Sequence, residues 1–588
     1  MPKKDRYILG VAGFSDYHDN SAALAKNGKT VFAASEERFT RKKHDVSFPI
    51  NSINAALEFG GMKVEDLDFI ICGWPKRNLI KVFLQKGRLP DLLRSLFSLF
   101  KSVGPFHLLS FFSKALLRER KAESFTSLSD LQISPEKTLY MDHHKAHAAG
   151  AYRTSGFPEC LAVTVDAFGS TPDGDLRSGS VWVCKDGVME EAEPLPLETS
   201  LGLFYEAITV AVGFKPIDGE GKTMGLAAYG DPTKVYEEVR KLAPRFENGK
   251  WVKSSYWVDT LFSVDLAYKE LFLRTRFGKT VTRLIEETSR EDVAAAAQRI
   301  LEEEAVKFFK YLWGKHKQNH YATAGGVFLN VKMNKKLREL PFVKGFFTHP
   351  HAGDGGLAAG AALELYAEKF DAKKTLAKWE SAALGVEYSN REIRKAFDKF
   401  KDQITFEKSE DIASYVGEAL TEGKVIGWFQ GRFEWGPRAL GQRSVLADPR
   451  DEKIKERIND RMKRREWFMP FAPSIMVEKV REWLVDGEES PFMTMAYDVV
   501  KGKEKDIVAA VHIDNTGRPN TVDKKVNPKY WKVINSFYKK TGIPVVLNTS
   551  FNKHGLPIVN SPEDAINHLL WGCVDELAIG DYLVKRRA

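Results

Sequence analysis

Short apolar segments joined by tight turns alternate along this chain with helical segments, and this alternation limits the fold more than any other feature. The first three apolar segments, residues 7–12, 21–25 and 30–35, are expected to be strands. Asn27-Gly28, between the second and third segments, is a dipeptide typical of hairpin turns. The chain therefore begins with strands that pair through local turns.

The middle of the chain adds long helices to these strands. From Ser289 to Leu312 the apolar residues recur at helical spacing, and Asp292 follows the Ser289 cap by three residues. Further strands are expected at 160–166, 178–184 and 321–324, and a further helix at 330–337. A chain of 588 residues is too long for one hydrophobic core, so the sequence predicts an α/β protein of several domains.

A change of pattern near residues 370–385 divides the chain. The small-residue helix expected at 355–366 ends before it, and the arginine-rich segment 432–470 lies after it. We therefore predict an N-terminal domain over residues 1–375 and a C-terminal domain over residues 376–588.

Composition is that of an ordinary globular protein, with 43% hydrophobic and 28% charged residues. The four cysteines have no paired spacing, so neither a disulfide framework nor a thiolate zinc site is expected, and a cytoplasmic location fits. The apolar run at residues 7–14 ends at Ser15-Asp16 without a small-residue cleavage site, and we interpret it as a first strand.

Residues 89–117 are rich in leucine and phenylalanine but also contain Arg94, Lys101 and Lys114. These charges argue against a membrane-spanning helix. Several apolar residues share one helical face: Leu92, Leu93, Leu96, Leu99 and Phe100. The segment is expected to form packed helices that cap a site, and the alternative is a segment that lies on a membrane surface.

Four residues in three separate segments could bind a metal. His143 and His147 are four residues apart, which places two imidazoles on one helical face. Asp166 ends an apolar strand, and Asp354 lies in a glycine-rich turn. Two neutral imidazoles and two carboxylates suit a divalent metal such as iron, zinc or manganese. The alternatives are a solvated histidine pair and aspartates that cap turns.

The chain resembles the O-carbamoyltransferases of the NodU and TobZ type over nearly its whole length. The matching segments are 13–22, 36–45, 143–149, 163–169, 202–214, 221–232 and 325–330, followed by 431–450, 464–473 and 547–552. Residues 76–125 do not match, which suggests a helical insertion.

The resemblance implies that the N-terminal domain is of the actin and Hsp70 ATPase class and binds an adenylate beside iron(II). Its metal ligands would be His143, His147, Asp166 and Asp354, and its nucleotide contacts Gly325, Gly326 and Asn330. His144 lies about 100° around the helix from His143, so we interpret it as a packing residue or a support for the ligands.

The resemblance also implies a YrdC-like C-terminal domain that binds ATP and carbamoyl phosphate. The matching residues are Lys463, Arg465, Thr549, Ser550 and Asn552. Arg438 and Arg443, in a turn rich in glycine and proline, are further candidates for a cationic clamp around phosphates. The alternative for these arginines is surface charge.

The implied reaction uses ATP with Mg2+ and carbamoyl phosphate to form carbamoyladenylate in the C-terminal domain. The N-terminal domain then transfers the carbamoyl group to the hydroxyl of a small molecule, such as a sugar, a polyketide or a lipid-linked saccharide. His18 and Lys43 are candidate catalytic residues beside the adenylate or the acceptor. The His18 imidazole titrates near neutrality and could accept the hydroxyl proton, although a structural hydrogen bond would explain it equally well.

Two other functions are alternatives to this reaction. RNA binding in tRNA modification is an alternative, because related domains act there and the sequence pI is about 9.0. The basic clusters coincide instead with the ATP and carbamoyl phosphate motifs, so no nucleic acid is expected. An inactive homologue that serves as a partner subunit is disfavoured, because the recognisable motif positions are filled.

Overall fold

The computed structural model describes residues 5–13, 18–75, 88–103, 137–264 and 269–587, with the backbone alone at 101–103. The chain forms two compact units of mixed α/β structure. One contains Met1–Val31 and Val46–Lys378, and the other contains Phe32–Asp45 and Trp379–Ala588. Residues 32–45, which come early in the chain but group with the second unit, contain the short helix α1 (Glu37–Thr40).

Hydrogen bonds explain why this early segment groups with the second unit. The buried guanidinium of Arg38 donates to the backbone carbonyls of Glu434 and Gly436. Arg41 likewise donates to the carbonyls of Pro557 and Ile558. The sequence placed the segment in the N-terminal domain, because these pairings join residues about 400 to 500 positions apart in the chain.

The first unit is built on two five-stranded sheets, and the end of one strand of the first sheet, residues 32–35, belongs to the segment grouped with the second unit. The strands of the first sheet are β1 (Tyr7–Val11), β2 (Ser21–Lys26), β3 (Lys29–Ser35), β4 (Phe69–Cys72) and β5 (Thr138–Tyr140). The next strands are β6 (Glu159–Ser170), β7 (Leu176–Lys185), β8 (Val188–Pro196), β9 (Arg245–Glu247), β10 (Lys250–Val252), β11 (His320–Ala324) and β12 (Gly345–Thr348). The strands predicted in these regions are confirmed.

The two sheets share one topology. Their strand orders are β3-β2-β1-β4-β5 and β12-β11-β6-β7-β8. In the first sheet β1 pairs antiparallel with β2 and parallel with β4, and in the second β6 pairs antiparallel with β7 and parallel with β11. The small hairpin of β9 and β10 stands apart. The same arrangement of strands therefore occurs twice in this unit.

The helices of the first unit lie between and around these sheets. They are α2 (Ile50–Gly60), α3 (Leu89–Val103), α4 (His143–Ser155), α5 (Leu201–Ala211), α6 (Glu220–Leu226), α7 (Tyr236–Leu242), α8 (Trp257–Thr260), α9 (Lys269–Leu273), α10 (Arg276–Glu287), α11 (Arg290–His316), α12 (Val331–Arg338) and α13 (Leu357–Tyr366). The helices predicted near 289–312, 330–337 and 355–366 are confirmed. Of the expected insertion at 76–125, the structure describes α3 and Arg88, and the rest lies outside the described residues.

Helices α4 and α13 form the middle of the first unit. Helix α13 packs on β1 and β2, α4 packs on β6 and β11, and the two helices pack against each other. Gly360 makes this approach possible, because a Cβ atom there would lie 1.9 Å from the Ala146 carbonyl oxygen. The close packing brings the N-terminal ends of both helices to one place.

The second unit is built on an eight-stranded sheet. The strands of this unit, in chain order, are β13 (Ile404–Lys408), β14 (Ile426–Phe429), β15 (Arg443–Ala447), β16 (Ala472–Met476), β17 (Tyr497–Asp498), β18 (Thr516–Gly517), β19 (Asn520–Val522), β20 (Val545–Ser550), β21 (Glu576–Ile579) and β22 (Tyr582–Arg586). The sheet order is β13-β22-β21-β14-β15-β20-β16-β19, and β17 pairs with β18 separately. The helices are α14 (Asn390–Asp398), α15 (Ile412–Thr421), α16 (Lys453–Ile458), α17 (Val480–Trp483), α18 (Pro528–Thr541) and α19 (Pro562–Leu570).

No helix within the described ranges is both long enough and apolar enough to cross a bilayer.

Candidate functional sites

Three elements of the first unit bring together four side chains that could hold a metal ion, and these four residues are named the metal-binding cluster below. His143 is the first residue of α4, which the Asp142 carboxylate caps by accepting from the Lys145 amide, and His147 lies one turn later. Asp166 lies in β6 where the register with β7 shifts. Asp354 opens the turn before α13, and the Ser21 hydroxyl fixes that turn by donating to the Gly355 carbonyl at 2.6 Å.

The distances in this cluster are those of a shared ligand site. His147 Nε2 lies 3.3 Å from Asp166 Oδ2 and 3.4 Å from Asp354 Oδ1, and His143 Nε2 lies 3.8 and 3.6 Å from the same two atoms. One donor atom from each residue lies within 4.8 Å of the others, and all four residues are buried. The buried Nε2 atoms of His143 and His147 have no hydrogen-bond partner of normal geometry among the described residues. Such orphaned imidazole nitrogens beside two carboxylates fit a divalent metal.

Burial and charge set the protonation of the cluster. Burial lowers the pKa of His143 to about 3, so its ring is neutral, as a metal ligand must be. Although burial opposes its ionisation, the two imidazoles hold the pKa of Asp166 well below its ordinary value. Burial also opposes protonation of His147, but Asp166 and Asp354 raise the pKa of this imidazole to about 9. A metal must displace that proton, so metal binding is expected to weaken as the pH falls.

His144 takes no part in the cluster. Its Nε2 lies 3.0 Å from the Arg177 carbonyl oxygen, so the ring joins α4 to β7. This placement agrees with the interpretation of His144 as a packing residue.

His18 borders the cluster. Its Nε2 lies 3.3 Å from Asp354 Oδ2, and its Nδ1 lies 3.0 Å from Asp19 Oδ2. The His18 side chain is 31% exposed, in contrast to the cluster, and its ring contacts the edge of Trp74, which also contacts His143. An accessible imidazole beside a buried ligand site is well placed to exchange protons with a bound molecule.

The predicted nucleotide residues follow β11. Gly325 adopts a φ of +99°, which favours glycine, and the next amide, of Gly326, donates to Asp166 Oδ2 at 3.0 Å. The Asn330 side chain caps α12 and exchanges hydrogen bonds with Gln298 at 2.8 and 3.0 Å. The hydrogen bond from Gly326 to Asp166 connects this turn to the metal-binding cluster. The nucleotide contacts of Gly325, Gly326 and Asn330 stay a prediction.

Two glutamates near this cluster, the buried Glu206 and the partly buried Glu220, were not predicted from the sequence. Burial raises the pKa of Glu206 to about 8 and that of Glu220 to about 7. The charge of His18 acts in the opposite direction and lowers the pKa of both carboxyls. Glu206 lies in α5, an otherwise apolar helix, and an acid in such a helix is the signal that could have drawn attention to it.

The second unit places Lys463 at the end of the helical turn after α16. Its Nζ donates to Ser550 Oγ at 2.9 Å and to Asn552 Oδ1 at 2.8 Å. Burial, together with the charges of Arg465 and Lys43, lowers the pKa of Lys463 well below its ordinary value. The structure therefore brings the predicted lysine, serine and asparagine together.

Lys43 was predicted to act at the transfer centre in the first unit. The structure places it in the segment that groups with the second unit, close enough to Lys463 for the two charges to repel. Lys43 thus lies near the cationic side chain of Lys463. Its catalytic role stays a prediction.

Three arginines form a second part of this cationic site. Arg465 lies 3.4 Å from Thr549 Oγ1, and burial lowers the pKa of Arg438 to about 10. Burial and the charges of Arg438 and Arg465 lower the pKa of Arg518, whose buried Nε has no hydrogen-bond partner among the described residues. Mutually repelling guanidinium groups favour a bound anion, because the anion offsets both their repulsion and their desolvation.

Arg518 was missed at the sequence level, and Arg443 has structural contacts. Arg518 lies outside the arginine-rich segment, between β18 and β19, so only tertiary contacts place it beside Arg438 and Arg465. The fully buried Arg443 donates to the carbonyls of Gln430, Gln442 and Gly431 and lies over the ring of Phe429. These contacts give both terminal nitrogens of Arg443 a structural role, and the predicted phosphate contact stays a prediction.

Arg518→Ala is expected to weaken the binding of inorganic pyrophosphate to this cationic site at least about tenfold, because one charge-assisted contact contributes about 1.5–3 kcal/mol. Isothermal titration calorimetry with inorganic pyrophosphate measures the binding constant. Arg481→Ala, in α17, is the control, since this residue is exposed. Equal binding constants for Arg518→Ala and the unmodified protein would remove Arg518 from the anion site.

Comparison with known sequences identifies the class of protein. Residues 7–363 match the family described as Carbamoyltransferase N-terminus, and residues 417–586 match Carbamoyltransferase C-terminus. Both units thus carry domains of an enzyme that transfers a carbamoyl group. The chain belongs to the carbamoyltransferase family, and the predicted resemblance is confirmed.

Individual relatives agree with this assignment. Nodulation protein NolNO of Sinorhizobium fredii is 32% identical over 97% of this chain and 79% of its own length. The 3'-hydroxymethylcephem-O-carbamoyltransferase of Streptomyces clavuligerus is 28% identical over 64% of this chain and 67% of its own length. Among solved structures, full-length HypF in the phosphate- and nucleotide-bound form aligns with a TM-score of 0.31 and 14% identity, covering 63% of this chain and 57% of HypF.

Proposed function

We propose that this carbamoyltransferase is an ATP-dependent O-carbamoyltransferase with one active centre in each unit. The observation that carries the proposal is the pair of different clusters, one of buried imidazoles and carboxylates and one of the buried Lys463 with partly buried arginines. Two such clusters suit two steps, because activation of a phosphate donor and transfer to a hydroxyl require different electrostatic surroundings.

In the proposed activation step, water releases carbamate and phosphate from carbamoyl phosphate in the second unit. A carbamate oxygen then attacks the α-phosphorus of ATP, and pyrophosphate leaves, so carbamoyladenylate forms. Arg438, Arg465 and Arg518 would bind the phosphates as a cationic clamp, with Mg2+ as the companion of ATP. Lys463 would be held in place by Ser550 and Asn552, which accept its hydrogen bonds.

In the proposed transfer step, the carbamoyl group moves from the adenylate to an acceptor hydroxyl in the first unit, and AMP leaves. His18 would accept the hydroxyl proton on Nε2, which lies on the cluster side of its ring. His143, His147, Asp166 and Asp354 would hold a divalent metal, with Fe2+ the first candidate. When bound, such a cation supplies Lewis-acid polarisation. The duplicated sheet topology supports the proposal of an actin and Hsp70 ATPase class for this unit, and the YrdC-like class of the second unit stays a proposal.

The whole reaction is tested with the purified protein, ATP and carbamoyl phosphate. Pyrophosphate release is expected only when both substrates are present, and it would be measured by a coupled phosphate assay after pyrophosphatase, corrected for free phosphate. Metabolite profiling of a deletion strain would identify the acceptor by the loss of a carbamoylated compound. Pyrophosphate release from ATP without carbamoyl phosphate would contradict the proposed donor.

The metal proposal has its own test. Protein purified without oxygen is expected to contain about one equivalent of iron, manganese or zinc, and His147→Ala and Asp354→Asn should each reduce it to background. Elemental analysis measures the content directly. The control is His144→Gln, which keeps a donor for the Arg177 carbonyl and should retain the metal. Equal metal content in all four proteins would show that the cluster is not the binding site.

A further inference from the structure

The turn of the second unit that carries Arg438 is held by a buried carboxylate. Glu434 Oε1 accepts hydrogen bonds from three backbone amides of this turn, at 2.7 Å from Leu440, 3.0 Å from Gln442 and 3.1 Å from Arg443. The Glu434 residue is only 1% exposed. Because hydrogen bonds to an ionised acceptor are strong, these three bonds hold the backbone after Arg438 in one conformation.

A second set of hydrogen bonds begins at the same turn and crosses three neighbouring strands. Asn548 of β20 donates through Nδ2 to the Ala439 carbonyl oxygen at 3.1 Å and to Ser474 Oγ of β16 at 3.0 Å. The Ser474 hydroxyl donates in turn to Asn520 Oδ1 of β19 at 3.0 Å. The side chains of Asn548, Ser474 and Asn520 are all buried, and β20, β16 and β19 are consecutive in the sheet.

This chain of hydrogen bonds connects the segments that carry two of the arginines. At one end, Ala439 directly follows Arg438. At the other end, Asn520 follows Arg518 by two residues, and its Nδ2 is fixed by donating to a backbone carbonyl at 2.7 Å. Ser474 is therefore the link between the backbone beside Arg438 and the backbone beside Arg518.

The two arginines require such a support because they repel each other. The charge of Arg438 lowers the pKa of Arg518, so the two guanidinium groups lie close enough to interact. Without a bound anion, this repulsion favours their separation. Buried hydrogen bonds oppose the separation, because they hold the groups that they join in one geometry and are strengthened by the low dielectric around them.

We propose that Ser474 is a positioning residue that holds Arg438 and Arg518 at one spacing through Asn548 and Asn520. This role rests on the proposed cationic clamp, which would be formed before an anion arrives. A preorganised pair of arginines binds an anion more tightly than a mobile pair, because less conformational freedom is lost on binding. Ser474 is fully buried, so it acts on the anion only through its neighbours.

The test is titration calorimetry of Ser474→Ala with inorganic pyrophosphate, on protein freed of metal by prior dialysis against a chelator. The binding constant is expected to fall about tenfold, since the two arginines lose their fixed spacing. Asn520→Ala breaks the same chain of hydrogen bonds at its other end and should weaken binding to a similar extent. This second variant gives the reading if Ser474→Ala does not fold.

The matched control is Ser389→Ala, which removes a hydrogen bond of similar kind far from the arginines in the chain. The Ser389 hydroxyl caps α14 by accepting from the Glu392 amide at 3.3 Å. Its loss should lower the thermal unfolding temperature, as the loss of Ser474 should, but leave pyrophosphate binding unchanged. In an Arg438→Ala background, Ser474→Ala should weaken binding less than in the unmodified protein, because one of the two positioned arginines is absent.

Equal effects of Ser474→Ala in the two backgrounds, or an equal loss of binding in Ser389→Ala, would overturn the positioning role. Unchanged binding in both Ser474→Ala and Asn520→Ala, or no pyrophosphate binding by the unmodified protein, would do the same. Pyrophosphate release from ATP and carbamoyl phosphate is measured separately on the unmodified protein. Absence of that reaction together with the expected binding results would contradict the proposed function alone.

Discussion

His147→Ala is expected to abolish carbamoyl transfer while pyrophosphate release from ATP and carbamoyl phosphate continues. The imidazole of His147 contacts both carboxylates of the metal-binding cluster, at 3.3 and 3.4 Å, so its removal eliminates one donor and leaves two buried acids to repel each other. None of the residues of the cationic site belongs to this cluster. The loss in the transfer rate should be at least about 100-fold, the usual effect of removing one stabilising contact to developing charge.

Two assays on the same protein separate the steps. Pyrophosphate release reports activation, and a mass-spectrometric assay of the carbamoylated acceptor reports transfer from carbamoyladenylate supplied directly. His144→Gln is the control, because it alters the neighbouring ring on α4 without removing a member of the cluster. If His147→Ala lost both steps to the same extent while remaining folded, the two clusters would act as one composite site.

Local patterns in the sequence were sufficient to predict much of this structure. The Asn27-Gly28 turn and the apolar segments on either side of it predicted the first hairpin. The Ser289 hydroxyl accepts from the Asp292 amide, as the cap signal before α11 predicted. The i, i+4 spacing of His143 and His147 required only that the segment be helical, and it is. Such features depend on residues close in the chain, so the sequence contains them directly.

What the sequence did not predict depends on contacts between distant residues. Arg38 bonds to carbonyls about 400 positions away, so the grouping of residues 32–45 with the second unit has no local signal. The surroundings of Arg443 and Arg518 also depend on contacts between distant residues. Arg443 lies in the arginine-rich segment but bonds to backbone carbonyls, whereas Arg518 lies in the short link between β18 and β19 but joins the guanidinium cluster. Residue type and motif alone could not separate these two roles.

The four candidate metal ligands combine local features with contacts between distant residues. The spacing of the two histidines is local, but their meeting with Asp166 and Asp354 depends on the packing of α4 against β6 and α13. Family resemblance supplied that set at the sequence level, and the structure supplies the reason why the set converges. Gly360 allows α4 and α13 to pack closely. Any larger side chain at this position would separate the two helices, whose first turns meet at the site.

Lys463→Ala is expected to have the opposite effect to His147→Ala. Lys463 is buried beside Arg465, and its Nζ donates to Ser550 and Asn552. These hydrogen bonds orient the amino group before any substrate binds. A preorganised cation of this kind stabilises charge that develops on a transferring group, and its loss should reduce pyrophosphate release about 100- to 1,000-fold.

Carbamoyladenylate supplied with a competent acceptor should restore product formation in Lys463→Ala, since the metal-binding cluster is intact, but not in His147→Ala. Lys453→Ala, which removes an exposed lysine from α16, is the matched control and should retain both steps. Lys463→Arg adds a second comparison, because it keeps the charge but cannot reproduce the compact contacts to Ser550 and Asn552. Partial recovery in Lys463→Arg would show that charge carries most of the effect, and no recovery would show that orientation does. Rescue of His147→Ala and failure of Lys463→Ala with the same adenylate would reverse the assignment of the two steps to the two units.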